Sequence, residues 1–367
     1  MKNLEKISVE YFSRLSKYFT APFYEFGIRE EIISISKENN FEYKLDEWGN
    51  LYVSSDFDST IGPIVLVAHM DHPAFEVVSQ DNKIIKLKPL GGHPIQVNQN
   101  EVKLRIFTSD KKELSAKIIL KNNQNPDKNS LWLNSKYIFA ELEQNYLLEL
   151  PCPAILDLKK FEIDESKRLF RSRVLDDLAG CSAILSAISM SINKLKRPFI
   201  AVFTRAEEVG LIGARLSAES NLINKNANIF SIETSSEIPG VKIGNGPVIR
   251  TGDRMSTFDN YPEHLLRICA KKLQNKNPEF KFQRALMSAG TCEASAFKSF
   301  GYSVSGIAFP LGNWHNRGEN SVEEEYLSMD DYFLGIRLMI ELICNDFDDD
   351  DLVLLPNVSK EIKNKLK

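Results

Sequence analysis

The chain has 367 residues, 43% of them hydrophobic and 26% charged, with a net charge of -4. This is a globular composition, and the length suits one large domain with a smaller one rather than a single core. Lys and Arg are interspersed with Asp and Glu, and no apolar run approaches about eighteen residues, so nucleic acid and membrane are not expected partners.

Residues 1–19 mix acids with apolar residues at helical spacing, which predicts an amphipathic helix and not a secretory leader. The five cysteines, Cys152, Cys181, Cys269, Cys292 and Cys344, are odd in number and far apart, which predicts reduced, mostly buried thiols and a cytoplasmic protein. A second helix is expected over 28–39, and a strand over 51–55 after the Trp48-Gly49-Asn50 turn signal. The continuous apolar run 64–68 suits a strand covered on both faces. From 73 to 164 the texture changes. Stretches 83–88, 101–107 and 114–120 alternate or are β-branched, and turn clusters at 91–92 and 122–129 separate them. This predicts a small antiparallel, barrel-like β domain at 73–164, inserted into a catalytic domain of residues 1–72 and 165–355. Beyond 168, helices at 178–192, 264–274 and 293–300 alternate with strands at 198–203, 227–232 and 304–309. That alternation predicts an α/β fold, a mixed sheet with helices on both faces. The charged run 345–351 reads as a solvated end.

Open α/β sheets bind ligands outside the carboxyl ends of their strands. Metal-type side chains stand there repeatedly: His69 and Asp71 after the 64–68 strand, Glu207 and Glu208 after 198–204, Glu233 after 227–232, and His315 shortly after 304–309. Asp176 and Asp177 directly precede a helix. Each element alone has an ordinary explanation: a surface pair for His-x-Asp, a solvated helix start for Glu207-Glu208, an N-cap for the paired aspartates. All of them holding together, ordered along the chain at strand ends, is much harder to explain that way. Two histidines and three carboxylates suffice for two divalent ions sharing one carboxylate, and the net positive charge left over acidifies a water and polarises a carbonyl. His93 and His264 read as packing or surface residues, and His72 stays open because it lies so close to His69.

Val67-Ala-His-Met-Asp71, Val174-Leu-Asp-Asp-Leu-Ala-Gly-Cys181 and Phe203-Thr-Arg-Ala-Glu-Glu-Val-Gly-Leu-Ile-Gly-Ala214 resemble the glutamyl and deblocking aminopeptidases, dinuclear metalloenzymes whose best-known members form hollow tetrahedral assemblies. Asp46-Glu-Trp-Gly-Asn-Leu51, Gly244-Asn-Gly-Pro-Val-Ile249 and Ser288-Ala-Gly-Thr291 fit the same resemblance, which runs from about Phe19 to about Cys344. It implies a zinc-exopeptidase-like fold, peptide substrates, a homo-oligomer and two divalent ions, zinc or else cobalt or manganese. It further implies His69, Asp176, Glu208, Glu233 and His315 as metal ligands with Asp176 shared, Asp71 orienting His69, and Glu207 as general base. Asp177 stands where the related enzymes often have a cis peptide bond. Four positions depart from the family pattern: Glu233 for Asp, His72 for an acid, Leu178 for Arg or Asn, and Cys292 for Asp. They imply a divergent member with altered specificity. Glu237 is the runner-up ligand to Glu233. Arg250 and Arg254 offer charge complementarity to acidic side chains. A carboxypeptidase, an amide deacylase or a silent peptide-binding relative are the other readings that this fold allows.

Overall fold

The computed structural model describes residues 2–57, 63–99, 102–120, 130–347 and 358–366. The turn cluster expected at 122–129, the first residue of the strand expected at 101–107, and residues 348–351 of the charged run lie outside them.

The chain builds a mixed eleven-stranded sheet and a closed six-stranded barrel. At the centre of the sheet Phe199–Thr204, Ile64–His69, Asn228–Ser236 and Ser303–Gly312 run parallel, in that order. Antiparallel strands Leu51–Ser54 and Glu42–Leu45 extend one side, and Glu325–Ser328, Leu169–Ser172 and Glu162–Asp164 extend the other. Val248–Asp253 pairs with both Ser303–Gly312 and Gln283–Met287.

The continuous apolar runs follow from this position. Side chains of a strand alternate between faces, and here both faces are covered. Ile64, Leu66, Ala68, Phe199, Ala201 and Phe203 enter a core shared with helices Lys2–Leu15, Phe26–Glu38, Leu178–Ser191, Asn260–Lys276 and Met329–Cys344. Val65, Val67, Ile200 and Val202 enter a second core under helices Ile212–Glu219 and Glu293–Ser299. Helix Leu178–Ser191 is apolar nearly all round because it is wrapped by protein. Its N-cap is Asp177, whose Oδ1 accepts from Gly180 N at 3.0 Å. A Cβ at Gly180 would stand 2.3 Å from the other Asp177 oxygen, so the cap requires glycine there.

The barrel runs Ala74–Asp81, Ile84–Leu90, Ile138–Leu142, Glu113–Ile119, Lys103–Phe107 and Cys152–Leu156, closing back on the first. Alternate residues such as Val77, Leu87, Ile106 and Ile118 fill it. Closure leaves no sheet edge exposed. The five cysteines are free, and four of them are buried. Among the described residues, no helix is long and apolar enough to cross a membrane.

Candidate metal centre

Parallel pairing sets His69 beside Thr204 at the ends of adjacent strands, and the next strand ends at Ser236, three residues past Glu233. The chain leaving Thr204 turns sharply, with Ala206 at φ 51° and Gly210 and Leu211 donating back to the Glu207 carbonyl. That turn is fixed from two sides. Asp71 accepts from Glu207 N at 2.9 Å and from Glu208 N at 3.1 Å. Glu25, fully buried, accepts from Ala206 N at 3.0 Å and from Arg205 Nε at 2.7 Å.

His69 Nδ1 lies 3.1 Å from the Asp71 carbonyl oxygen and 3.7 Å from its carboxylate. The carbonyl can only accept, so Nδ1 donates and Nε2 faces the centre. Asp71 therefore orients His69 through its backbone, while its carboxylate holds the Glu207-Glu208 turn. His315 is arranged the same way: Nδ1 donates to Gly92 O at 2.8 Å, leaving Nε2 for the centre.

Asp176 stands between the imidazoles, its peptide bond to Asp177 cis. Its Oδ1 is 3.3 Å from His69 Nε2, which is 3.8 Å from Glu233 Oε1. Its Oδ2 is 3.5 Å from His315 Nε2, which is 3.4 Å from Glu208 Oε1. Ligand atoms of His69, Asp176 and Glu208 all lie within 4.8 Å of one another. The structure thus gathers His69, Asp176, Glu208, Glu233 and His315, with Glu207 lining the same cavity of about 270 Å³. Glu237 is exposed and accepts from Ile243 N.

Burial raises the Glu207 and Glu233 carboxyls well above their usual range, their acidic neighbours add to this, and His69 opposes it. Asp176 goes the other way: burial opposes its ionisation, but His315 and His69 hold its carboxyl well below the usual range. For both imidazoles burial works against the charge, yet Glu207 and Asp176 at His69, and Glu208 and Asp176 at His315, raise them well above the ordinary value. The cluster demands positive charge, which protons or bound cations supply. Asp176 Oδ1 and Glu208 Oε1 are buried with no hydrogen-bond partner. Leaving such acceptors unmatched costs about 1–3 kcal/mol each, and this donor set of imidazole and carboxylate is what divalent cations of the zinc type bind. The residues fit a metal.

Several contributors carry no sequence signal of their own. Glu325, fully buried, accepts from Leu175 N at 2.7 Å, Asp176 N at 3.0 Å and His315 N at 2.9 Å, so one side chain ties the Asp176 and His315 segments together. Burial and then the Asp176 charge raise its carboxyl, the backbone donors oppose, and with three N–H groups aimed at two oxygens it accepts as a carboxylate. Trp314 Nε1 donates to Asp176 Oδ2 at 2.8 Å; its place beside His315 in the chain was the one available hint. His72 is buried, with Nδ1 2.5 Å from the Asp176 carbonyl oxygen and Nε2 3.2 Å from Asn316 Oδ1. Burial, reinforced by the nearby His315 charge, pushes its imidazole down to about 3. His93 is buried and stacks on Phe75 at 4.1 Å. Cys292 and Leu178 are both buried, Cys292 donating its N–H to Asp253 Oδ2 at 3.1 Å.

Imidazoles and carboxylates gathered at the ends of parallel strands, with a further glutamate beside them, define a metal-dependent hydrolase. The sequence profile of the M42 glutamyl aminopeptidase family matches residues 49–332, and the chain belongs to that family as a metal-dependent aminopeptidase. Membership selects the aminopeptidase among the activities that the sequence left open. No curated protein matches the chain in sequence. Among solved structures, the TET1 peptidase of Pyrococcus horikoshii, which can assemble into a tetrahedron or a large octahedral shell, is 24% identical, with a TM-score of 0.76 over 92% of this chain and 99% of that one. The TET aminopeptidase of a marine-sediment Thaumarchaeota archaeon is 21% identical, TM-score 0.79, covering 94% and 98%. The aminopeptidase of Desulfurococcus kamchatkensis is 20% identical, TM-score 0.77, covering 97% and 99%. At these identities the likeness speaks for the fold.

Proposed function

We propose that the centre holds two divalent ions, zinc or in its place cobalt or manganese, and releases single N-terminal residues from peptides. The observation that carries this is the placement of Asp176, with one oxygen toward His69 and Glu233 and the other toward His315 and Glu208. His69 and Glu233 would hold one ion, His315 and Glu208 the other, and Asp176 both. Glutamate at 233 has the reach for this slot because either carboxylate length binds zinc. When bound, such ions supply Lewis-acid polarisation of the scissile carbonyl and acidify the attacking water. Glu207 takes the proton of that water and passes it to the leaving amine. Asp71, by gripping the Glu207 and Glu208 amides, keeps base and ligand in fixed relation.

Arg250 supports a preference for acidic N-terminal residues. It lines the cavity, is 2% exposed, and its Nε and one terminal nitrogen have no hydrogen-bond partner. A buried guanidinium with free donors suits a carboxylate, and Arg254 lines the same cavity. The family position occupied here by Cys292 would carry an acid by the resemblance; the carboxylates whose charge reaches Arg250 here are Glu233, Asp253 and Glu293. The shell-forming structural neighbours support a homo-oligomer, and the free thiols support a cytoplasmic location. We take residues 1–72 and 165–355 as the catalytic domain and 73–164 as its insertion, the last three of which, Glu162–Asp164, pair in the large sheet. The test is mass spectrometry of peptides beginning with Glu and with Leu. Stepwise loss from the N-terminus, faster for Glu, abolished by chelation and restored by zinc, cobalt or manganese, is expected. Internal fragments first, or trimming from the C-terminus alone, would overturn the reading.

A further inference from the structure

The two halves of the centre are not equivalent. Asp176 Oδ1, on the His69 side, accepts no hydrogen bond, whereas Oδ2, on the His315 side, takes the Trp314 indole N–H at 2.8 Å. Trp314 is not free to turn. It packs on His315 at 4.0 Å and meets Trp132 edge-on at 5.3 Å and 80°. Trp132 also touches His315 at 5.8 Å, and the Arg317 guanidinium lies over it at 5.1 Å. Trp132 is anchored at the mouth of the barrel, where the chain around it pairs with Pro94 and donates from Leu133 N to His93 O at 2.8 Å. The same stretch supplies the Gly92 carbonyl that holds His315 Nδ1 at 2.8 Å. The turn that carries Trp314 is itself unusual. Asn313, His315 and Asn316 all have positive φ, at 54°, 56° and 61°. Few non-glycine residues adopt that conformation, and Asn and His are among those that tolerate it best.

We propose that Trp314 is a positioning residue. By donating to Oδ2, packing on His315 and leaning on Trp132, it holds the Oδ2 and His315 side of the centre in place, and it makes the ion on that side depend on the barrel. Oδ1 has no comparable tie, so the ion on the His69 side relies on His69 and Glu233. The inference rests on the two-ion reading above.

The experiment is metal titration of the full chain against a competing chelator, with zinc counted by elemental analysis, for wild type and Trp314→Phe. Phe keeps a ring against Trp132 and His315 and loses only the N–H. Groups that orient metal ligands typically contribute about 10–100-fold in affinity. One zinc should weaken on that scale in Trp314→Phe, while the other changes by less than about threefold. A general packing defect would weaken both together, and that result, like unchanged affinity for both, overturns the proposal. Should Trp314→Phe fail to fold, Trp132→Ala removes the indole's support while keeping every side chain of the proposed ligand set and should weaken the same single ion; no change there overturns the proposal as well. A wild-type chain that binds no ion would defeat the two-ion reading and this inference together. Two ions held equally well by wild type and variant would defeat the inference alone.

Discussion

Glu325→Gln isolates how the centre is assembled. The Glu325 carboxylate receives three backbone N–H groups, from Leu175, Asp176 and His315, in a fully buried position. Glutamine keeps the shape but turns one acceptor into a donor. If its carbonyl faces Leu175 and Asp176, the amide nitrogen confronts the His315 N–H; turned over, it confronts the other two. One charge-assisted bond, worth about 1.5–3 kcal/mol, is lost in the better orientation, and the remaining two become neutral and weaker. A loss of about 3 kcal/mol follows. At roughly 2 cal/mol/K of unfolding entropy per residue, that lowers Tm by about 4 °C for a chain of this length. The metal-free variant should melt that much lower by circular dichroism, while exposed Glu323→Gln should stay within about 1 °C of wild type. Because Asp176 and His315 are released together, zinc on the His315 side should also weaken. A variant with the wild-type melting point and wild-type zinc affinity would refute the role given to Glu325.

Glu207→Gln should keep both ions and the fold while activity falls by about 100- to 10,000-fold, as for other general acid–base groups; Glu208→Gln should lose an ion first, and elemental analysis beside a rate assay separates the two. Gly91→Ala should weaken zinc binding, because the residue has φ +90° and the new Cβ would stand 3.2 Å from Glu208 Cβ and 3.3 Å from Pro73 Cα; a titration against a chelator reads this directly. Arg250→Met should lower kcat/KM for Glu-initiated peptides by about 10- to 100-fold, the worth of one charge-assisted hydrogen bond, and leave Leu-initiated peptides within a few-fold.

Much of this was legible in the sequence for a physical reason. The strands at 64–69 and 199–204 are buried along their whole length, so they read as nearly unbroken apolar runs, and 228–236 shows the same signal only at Ile229, Phe230 and Ile232. Ligands placed where such runs stop announce themselves as His or carboxylate in the wrong company. The barrel was legible as β but not strand by strand. Cys152–Leu156 contains Pro153, which ordinarily argues against a strand, and Ala74–Asp81 mixes buried and half-exposed residues through a register shift after Val77. Glu25 and Glu325 were illegible, and Asp71 was legible beside His69 but not as the clamp on Glu207 and Glu208. These carboxylates accept from backbone N–H groups far away in sequence, and nearly every residue carries such a donor, so no residue type marks the partner. The tie from Gly92 to His315 is hidden for the same reason, since a carbonyl belongs to every residue.

The central claim is that Asp176 is shared between two ion positions. It is tested most directly by counting ions in the wild-type chain after dialysis against zinc, beside Asp176→Asn. Two zinc ions per wild-type chain are expected, with both weakened in the variant because the shared carboxylate serves both. One zinc in the wild type, or loss of only a single ion in Asp176→Asn, would contradict the account.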